Sequence, residues 1–292
     1  EQGGEAKEVF NAIKKKYPFS FHTLVVLTGK EEDPSEILSN ELKLEKKNSS
    51  QTPLLTQLMA QIEVLKKNQK EASARKILDW AIAISDTAEP EIKLTLADLK
   101  GEEGDYVSKI FLLSEILYRN PNLVAKQTLE SYFPKLYFPF FEKNDVGLDP
   151  LFLLSVARQE SAFNPNARST AKAKGLLQLL NATARRYFPR GKMNLYDPET
   201  NITIGARYLQ SLLQKTNNQV PLVLAAYNAG EARVSEWLKR YRTTDPILFI
   251  DLIPYRETRD YVASILRNYY WYRKLHGDRH ITKIDDLFIV RQ

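Results

Sequence analysis

The segment DPLFLLSVARQESAFNP, residues 149–165, decides how the second half of the chain folds. Asp149 followed by Pro150 predicts a helix start, because aspartate caps helices and proline fits the first helical position. The next seven residues are apolar on nearly every side, which is typical of a buried helix. Asn164 precedes a proline and is biased toward extended geometry, so we expect the helix to end near Ala162. Glu160 then lies in the last turn of a buried helix.

Glu160 is an unusual residue for that position, since glutamate is almost never buried unless it is paired or functional. The negative end of the helix dipole and partial burial both disfavour the carboxylate, so we expect a raised pKa for Glu160. A carboxyl group that keeps its proton near neutrality can protonate a leaving oxygen. Two interpretations follow from this stretch. Glu160 is either a structural glutamate, exposed at a frayed helix end or paired with an arginine, or a catalytic acid.

The composition predicts an all-α protein. The chain has 292 residues, 43% of them hydrophobic and 27% charged, with only 11 glycines. Apolar residues recur at helical spacing, and strand-like alternation is hard to find. The chain contains no cysteine and only three histidines, so we predict no disulfide, no metal site and no cofactor. No apolar run approaches 18 residues, and the first residues, EQGGEAKE, lack the features of a signal peptide.

The formal net charge of +6 suits an anionic polymer as partner, or simply a solubilising surface. Nucleic acid is not predicted as a partner, because the chain has neither a base-reading motif nor an aromatic and basic stripe. Lys172, Lys174, Arg185 and Arg186 form either a solvated face or contacts to the carboxylates of a cell-wall strand.

We predict three segments. Residues 1–145 contain short helices joined by polar turns, which favours a helical solenoid that serves as a scaffold. One predicted buried stripe there consists of Val107, Phe111, Ser114 and Leu117. Residues 146–277 form a second helical domain with a Gly230 cap in its middle. The tail, residues 278–292, has an apolar cluster that either packs back or forms an edge.

Four motifs of the second domain occur together: ARQESAFNP at 157–165, S-x-x-x-A-x-G-L-L-Q-L at 169–179, AAYNAG at 225–230 and IPYRETRDYV at 253–262. In this order they resemble the soluble lytic transglycosylases, which are family 23 glycoside hydrolases with a lysozyme-like (goose-type) catalytic domain. The resemblance covers residues 148–272. The helical first part resembles the superhelical region of the long periplasmic members, mainly in architecture.

The resemblance implies a set of site residues. Glu160 matches the single catalytic acid and base, and Tyr227 matches a tyrosine whose hydroxyl approaches that carboxyl. The other positions match residues that contact or line the substrate groove: Ser161, Ser169, Gln178, Leu180, Ala226, Asn228, Glu257 and Tyr261. From the residues alone, Tyr227 could equally be a core tyrosine. Glu257 could be a first-turn acid favoured by the helix dipole.

The chain departs from the family pattern at several places. Lys172 stands at a glycine position, which predicts an altered loop path because glycine reaches backbone angles that lysine avoids. Leu177 and Leu180 replace methionines, a change that conserves volume. Asn181 replaces a proline, and Glu231-Ala232 replaces Pro-Gly. These changes concern substrate preference and leave Glu160 in place.

The implied function is non-hydrolytic cleavage of the bond between N-acetylmuramic acid and N-acetylglucosamine in peptidoglycan. The implied product carries a 1,6-anhydro ring, and the implied location is the periplasm. A single motif carboxylate is compatible with this chemistry, whereas most glycosidases use two. One alternative is a hydrolytic lysozyme with Asp197, Asp251 or Glu257 as second carboxylate. Another is a non-catalytic peptidoglycan-binding scaffold. Other cell-wall proteins are further candidate partners.

Overall fold

The structure is a computed structural model that describes residues 2–34, 52–188, 190–277 and 283–288. It is all-α, and its helices are α1 (Gln2–Lys16), α2 (Phe21–Gly29), α3 (Thr52–Lys67), α4 (Glu71–Ala83), α5 (Pro90–Glu102), α6 (Tyr106–Arg119), α7 (Lys126–Tyr132), α8 (Phe138–Glu142), α9 (Pro150–Ser161), α10 (Asn181–Tyr187), α11 (Pro198–Lys215), α12 (Val220–Ala229), α13 (Glu231–Tyr241), α14 (Pro246–Leu252) and α15 (Arg256–His276). Two 3₁₀ turns, at Pro121–Leu123 and Ile284–Leu287, complete the regular structure of these ranges.

The chain divides into two compact units. The larger unit contains residues 1–14, 18–35 and 135–292, and the smaller unit contains residues 15–17 and 36–134. The break therefore lies between residues 134 and 135, eleven residues before the boundary between residues 145 and 146 that the sequence predicts. The first two helices group with the later part of the chain. The assignment of a scaffold role to residues 1–145, of catalysis to residues 146–277 and of a separate tail to residues 278–292 stays a prediction.

The smaller unit is built from successive packed helices, as the solenoid prediction requires. α3 packs on α4, α5 packs on α6, and α4 joins the two pairs. The buried stripe predicted for α6 is wrong at three of its four positions, since Val107 is 48% exposed, Phe111 is 69% exposed and Ser114 is exposed as well. α6 buries Leu113, Ile116 and Leu117 instead, because that face is the one that meets its neighbours.

The larger unit is organised around α9 and α15, which pack against each other. Asp149 caps α9 as predicted, and its Oδ1 accepts from Leu151 N at 2.8 Å. Its Oδ2 accepts from the Tyr269 hydroxyl of α15 at 2.5 Å, and the Tyr269 ring packs edge-on against Phe152. The cap thus fixes the start of α9 and its position on α15 together. Trp271, also on α15, is fully buried.

α12 lies between α11, α13 and α15 and ends at Gly230, as predicted. Gly230 has a φ of 94°, which is in the region that favours glycine. Of the tail, residues 283–288 pack back on the larger unit. There Phe288 O accepts from Val220 N at 2.8 Å, and Ile284 and Leu287 are buried. The remainder of the predicted tail lies outside the described residues. Within the described ranges, every helix is too short or too polar to cross a membrane.

Candidate active site

Glu160 lies one residue before the end of α9, as predicted, and is partly exposed. The helix ends because Ala162 adopts left-handed geometry, with φ 46°, and its N–H still bonds to Arg158 O. The Tyr261 hydroxyl donates a hydrogen bond to Glu160 Oε1 at 2.5 Å. Burial raises the pKa of Glu160 to about 7, although the Tyr261 hydrogen bond acts in the opposite direction. The predicted upward direction is therefore confirmed.

The two site tyrosines both lie near Glu160 but differ in their hydrogen-bond partners. The tyrosine that contacts the carboxyl group is Tyr261, on α15. Tyr227 donates instead to Leu177 O, at 2.7 Å. Burial and the nearby Glu160 raise the pKa of both tyrosines well above the ordinary value, so both hydroxyls keep their protons. Tyr261 therefore restrains Glu160, while Tyr227 restrains the loop opposite it.

That loop, residues 167–180, is held by side chains that bond to its backbone. The Ser161 hydroxyl, next to Glu160, lies 2.9 Å from Leu176 O and 3.2 Å from Ala157 O. The Gln178 amide nitrogen donates to Gly175 O at 2.8 Å and to Ala167 O at 3.2 Å. These bonds orient the loop beside Glu160 and leave the amide oxygen of Gln178 for other contacts.

The loop also closes on itself at Ser169. The Ser169 hydroxyl accepts from Ala173 N at 3.1 Å, and Ser169 O accepts from Lys172 N at 2.9 Å. Lys172 has a φ of 66°, the left-handed geometry that a glycine would adopt without strain. Lys172 therefore adopts a backbone angle at which glycine is ordinarily found. The altered loop path expected from the sequence stays a prediction, while lysine bears the conformational cost of this geometry.

Sequence reasoning missed Asn201, the residue that holds the loop from behind. Asn201 is fully buried in α11. Its Oδ1 accepts from Leu177 N at 2.8 Å, and its Nδ2 donates to Leu195 O at 2.8 Å and to Lys174 O at 3.0 Å. Gly175 makes room for it, because a Cβ there would lie 2.3 Å from Asn201 Nδ2. The sequence did contain one indication of this role: an asparagine directly before Ile202, on the predicted buried face of a helix.

The remaining predicted residues divide into exposed and buried ones. Leu180 is 43% exposed, and Asn228 is exposed, with its Oδ1 accepting from the Thr258 hydroxyl at 2.7 Å. Glu257 is exposed in the first turn of α15, one turn before Tyr261. Ala226 differs, because its side chain is buried at 2% exposure and lines a separate cavity of about 310 Å³ between α11, α12 and α13.

The three carboxylates considered as a second catalytic group occupy different positions. Asp197 caps α11 and accepts from the backbone N and the hydroxyl of Thr200, and these bonds lower its pKa. Asp251 is exposed and lies 3.6 Å from His22. Only Glu257 lies on the helix that also contacts Glu160. Across the described ranges, no group of three or more histidine or acidic side chains could hold a metal ion.

Part of the chain is similar to a known family of proteins. Residues 139–250 match the family model described as the transglycosylase SLT domain. The chain is 37% identical over 167 residues to the soluble lytic murein transglycosylase of Salmonella typhimurium, an alignment that covers 54% of this chain and 26% of that protein. It is 38% identical over 163 residues to the soluble lytic murein transglycosylase of Escherichia coli K12, with coverage of 52% and 25%. The chain thus matches about a quarter of the length of these relatives.

Solved structures are similar over most of the chain. The 70 kDa soluble lytic transglycosylase of Escherichia coli gives a TM-score of 0.70 at 28% identity, over 97% of this chain and 45% of that one. An inactive mutant of the lytic transglycosylase Slt from Pseudomonas aeruginosa gives 0.72 at 25% identity, over 93% and 44%.

Proposed function

We propose that the chain, whose residues 139–250 match the transglycosylase SLT domain, is a peptidoglycan lytic transglycosylase. It would act on glycan strands in the periplasm and cleave the bond between N-acetylmuramic acid and N-acetylglucosamine without water. Glu160 would be the single general acid and then the base. Neither a metal nor a cofactor takes part in this proposal.

The observation that carries the proposal is that the Glu160 carboxyl group is partly protonated near neutral pH. With a pKa of about 7, a large fraction of the carboxyl group holds its proton near neutral pH, which a general acid requires. The Tyr261 hydroxyl donates to the same group and stabilises the carboxylate that remains after proton transfer. One residue can thus give a proton and take one back within a narrow pH range.

The proposed reaction has two proton transfers. Glu160 first protonates the glycosidic oxygen, and the 2-acetamido group of N-acetylmuramic acid stabilises the cationic anomeric carbon. The ionised Glu160 then removes the proton from the C6 hydroxyl of the same sugar. The glycosidic bond has broken in the first step, so the C6 oxygen now bonds to C1 and closes the 1,6-anhydro ring. Glu160 ends the cycle protonated.

The groove residues support binding of a sugar chain next to Glu160. The exposed Leu180 offers an apolar contact, the free oxygen of Gln178 accepts hydrogen bonds, and Glu257 extends from the start of α15. The loop that carries the first two is fixed by Ser161, so its groups are already in place before the substrate binds.

Digestion of purified sacculi, followed by mass spectrometry of the released muropeptides, tests the proposal. We expect products lighter by one water than hydrolysed ones, and none from the Glu160→Gln variant. Glu236→Gln, which changes an exposed glutamate on α13, is the matched control and should retain activity. Cleavage by Glu160→Gln would refute the role of Glu160.

The same digest distinguishes the hydrolytic alternative. That alternative rests on Glu257, which lies one turn from Tyr261 and could activate a water molecule. Hydrated reducing ends that disappear in Glu257→Gln would indicate a lysozyme. Anhydro products that persist in Glu257→Gln would exclude Glu257 as a required base. Binding without any product would favour a scaffold protein.

A further inference from the structure

Three tyrosines form a row that begins beside Glu160; we name Tyr187, Tyr208 and Tyr227 the tyrosine row. The ring centroids of Tyr227 and Tyr208 are 5.0 Å apart, and those of Tyr208 and Tyr187 are 5.5 Å apart. Both pairs are tilted rather than perpendicular, with interplanar angles of 33° and 39°. Three different helices, α10, α11 and α12, each supply one ring. The row therefore joins Tyr227, which lies near Glu160, to α11 and α10.

The hydroxyl groups of the row are used unequally. Tyr227 donates to Leu177 O, so its hydroxyl is engaged in holding the loop. Tyr208 and Tyr187 are half-buried, and neither hydroxyl has a hydrogen-bond partner among the described residues. Burial and the nearby Glu231 raise the pKa of Tyr208 to about 12, so its hydroxyl stays a donor. A half-buried phenol without a protein partner can bind a polar ligand group.

The far end of the row carries positive charge. Arg186 directly precedes Tyr187 on α10, and its charge partly offsets the rise in the pKa of Tyr208; it has no ion-pair partner in the described ranges. Its neighbour Arg185, in contrast, donates to Gly191 O at 3.2 Å. Glu231, the acidic group that helps to raise the pKa of Tyr208, is paired with Lys215 through contacts of 2.7 and 2.9 Å. Arg186 is therefore left to attract an anion.

We propose that Tyr187, Tyr208 and Arg186 extend the glycan groove and bind a sugar unit that bears a carboxylate. This inference rests on the proposed function, because the row begins at the candidate acid. The Tyr208 and Tyr187 hydroxyls bond to sugar hydroxyl or acetamide oxygens. Arg186 pairs with a carboxylate of the peptide that muramic acid units carry on their lactyl group and that chitin sugars lack. The row would select a position along the strand rather than take part in bond cleavage.

Equilibrium binding to two probes tests the inference in the Glu160→Gln background, so that no turnover interferes. The probes are a muropeptide tetrasaccharide with its carboxylates and the neutral N-acetylglucosamine pentamer. We expect Tyr208→Phe to raise Kd about three- to tenfold for both probes, the effect of one lost hydrogen bond. Arg186→Gln should raise Kd about two- to fivefold for the muropeptide alone, since exposed ion pairs are weak.

Two controls keep the test specific. Tyr241→Phe removes a partly exposed hydroxyl at the far end of α13, about 15 Å along the helix from Glu231, and should change neither Kd. Lys239→Gln removes an exposed positive charge and should also be neutral. Unchanged binding of both probes by Tyr208→Phe and Arg186→Gln would overturn the inference. Equal weakening of both probes by Arg186→Gln would overturn the carboxylate assignment.

Different results would refute the proposed function and this inference. Sacculi that give anhydro products while Tyr208→Phe and Arg186→Gln leave KM unchanged would reject the inference and keep the function. Loss of binding in these variants, with sacculi that the parent protein never cleaves, would reject the function and keep the binding groove. With both intact, Tyr208→Phe should raise KM and leave kcat almost unchanged.

Discussion

Replacing Glu160 by glutamine should stabilise the protein at neutral and alkaline pH and leave its stability unchanged in acid. The amide oxygen of a glutamine can accept the same hydrogen bond from Tyr261, and the side chain has almost the same size. The substitution therefore removes mainly the ionisable group. Because burial raises the pKa of Glu160, ionisation of this group weakens the folded state.

The magnitude follows from the two pKa values. The pKa of Glu160 rises from 4.5 to about 7 on folding, and each pH unit corresponds to about 1.4 kcal/mol. Between these values the folded state holds a proton that the unfolded state has lost, so stability falls as pH rises. The full penalty, about 3 kcal/mol, is present above pH 7 and absent below pH 4.5. The variant avoids that penalty.

Urea denaturation at pH values from 4 to 8.5 measures the effect. Tryptophan fluorescence is a suitable probe, because Trp237 and Trp271 are both buried in the unit that contains Glu160. The free energy of unfolding of Glu160→Gln minus that of the parent should increase by about 3 kcal/mol from pH 4.5 to 8. Glu236→Gln, at an exposed position, should show no such increase. A difference that stays constant across this range would refute the argument that burial sets the protonation of Glu160.

Three further predictions concern the groups around Glu160. Tyr261→Phe removes the bond that lowers the pKa of Glu160, so the alkaline limb of the kcat/KM profile should move to higher pH while kcat falls about tenfold or more; an unmoved limb would contradict this. Asn201→Ala should reduce the free energy of unfolding by about 2–4 kcal/mol, measured by urea denaturation, because the buried Leu177 N and Leu195 O lose their partner and Lys174 O loses one of two. Lys172→Gly should stabilise the fold by about 0.5–1 kcal/mol by relieving left-handed strain, whereas Lys172→Ala should not.

The position of the candidate acid could be predicted from the sequence because local chemistry determines it. Asp149 and Pro150 set the start of α9, and the proline after Asn164 limits its end. These signals act within a few residues and require no knowledge of the tertiary fold. Burial of Glu160 followed from the apolar residues of its own helix, and so did the direction of its pKa shift.

Contacts between distant helices could not be predicted in the same way. Tyr227 and Tyr261 are both tyrosines in helical motifs, and only packing decides which hydroxyl reaches Glu160 at 2.5 Å. The prediction of the buried face of α6 was wrong for a similar reason, since that helix has apolar residues on two faces. Phe111 is on the exposed one and Leu117 on the buried one. Periodicity marks an apolar face but does not say which of two faces meets a neighbour.

The hydrogen bonds show how motifs that are far apart in sequence act together on one loop. Ser161, Tyr227 and Asn201 belong to three helices, and each bonds to the backbone of the same short stretch, at Leu176 or Leu177. A loop with no strand or helix of its own would otherwise sample several conformations. Side chains that satisfy its backbone groups hold it in one conformation beside Glu160 before any ligand arrives. The motif residues therefore act first on the loop, and through the loop on the sugar chain that we propose it binds.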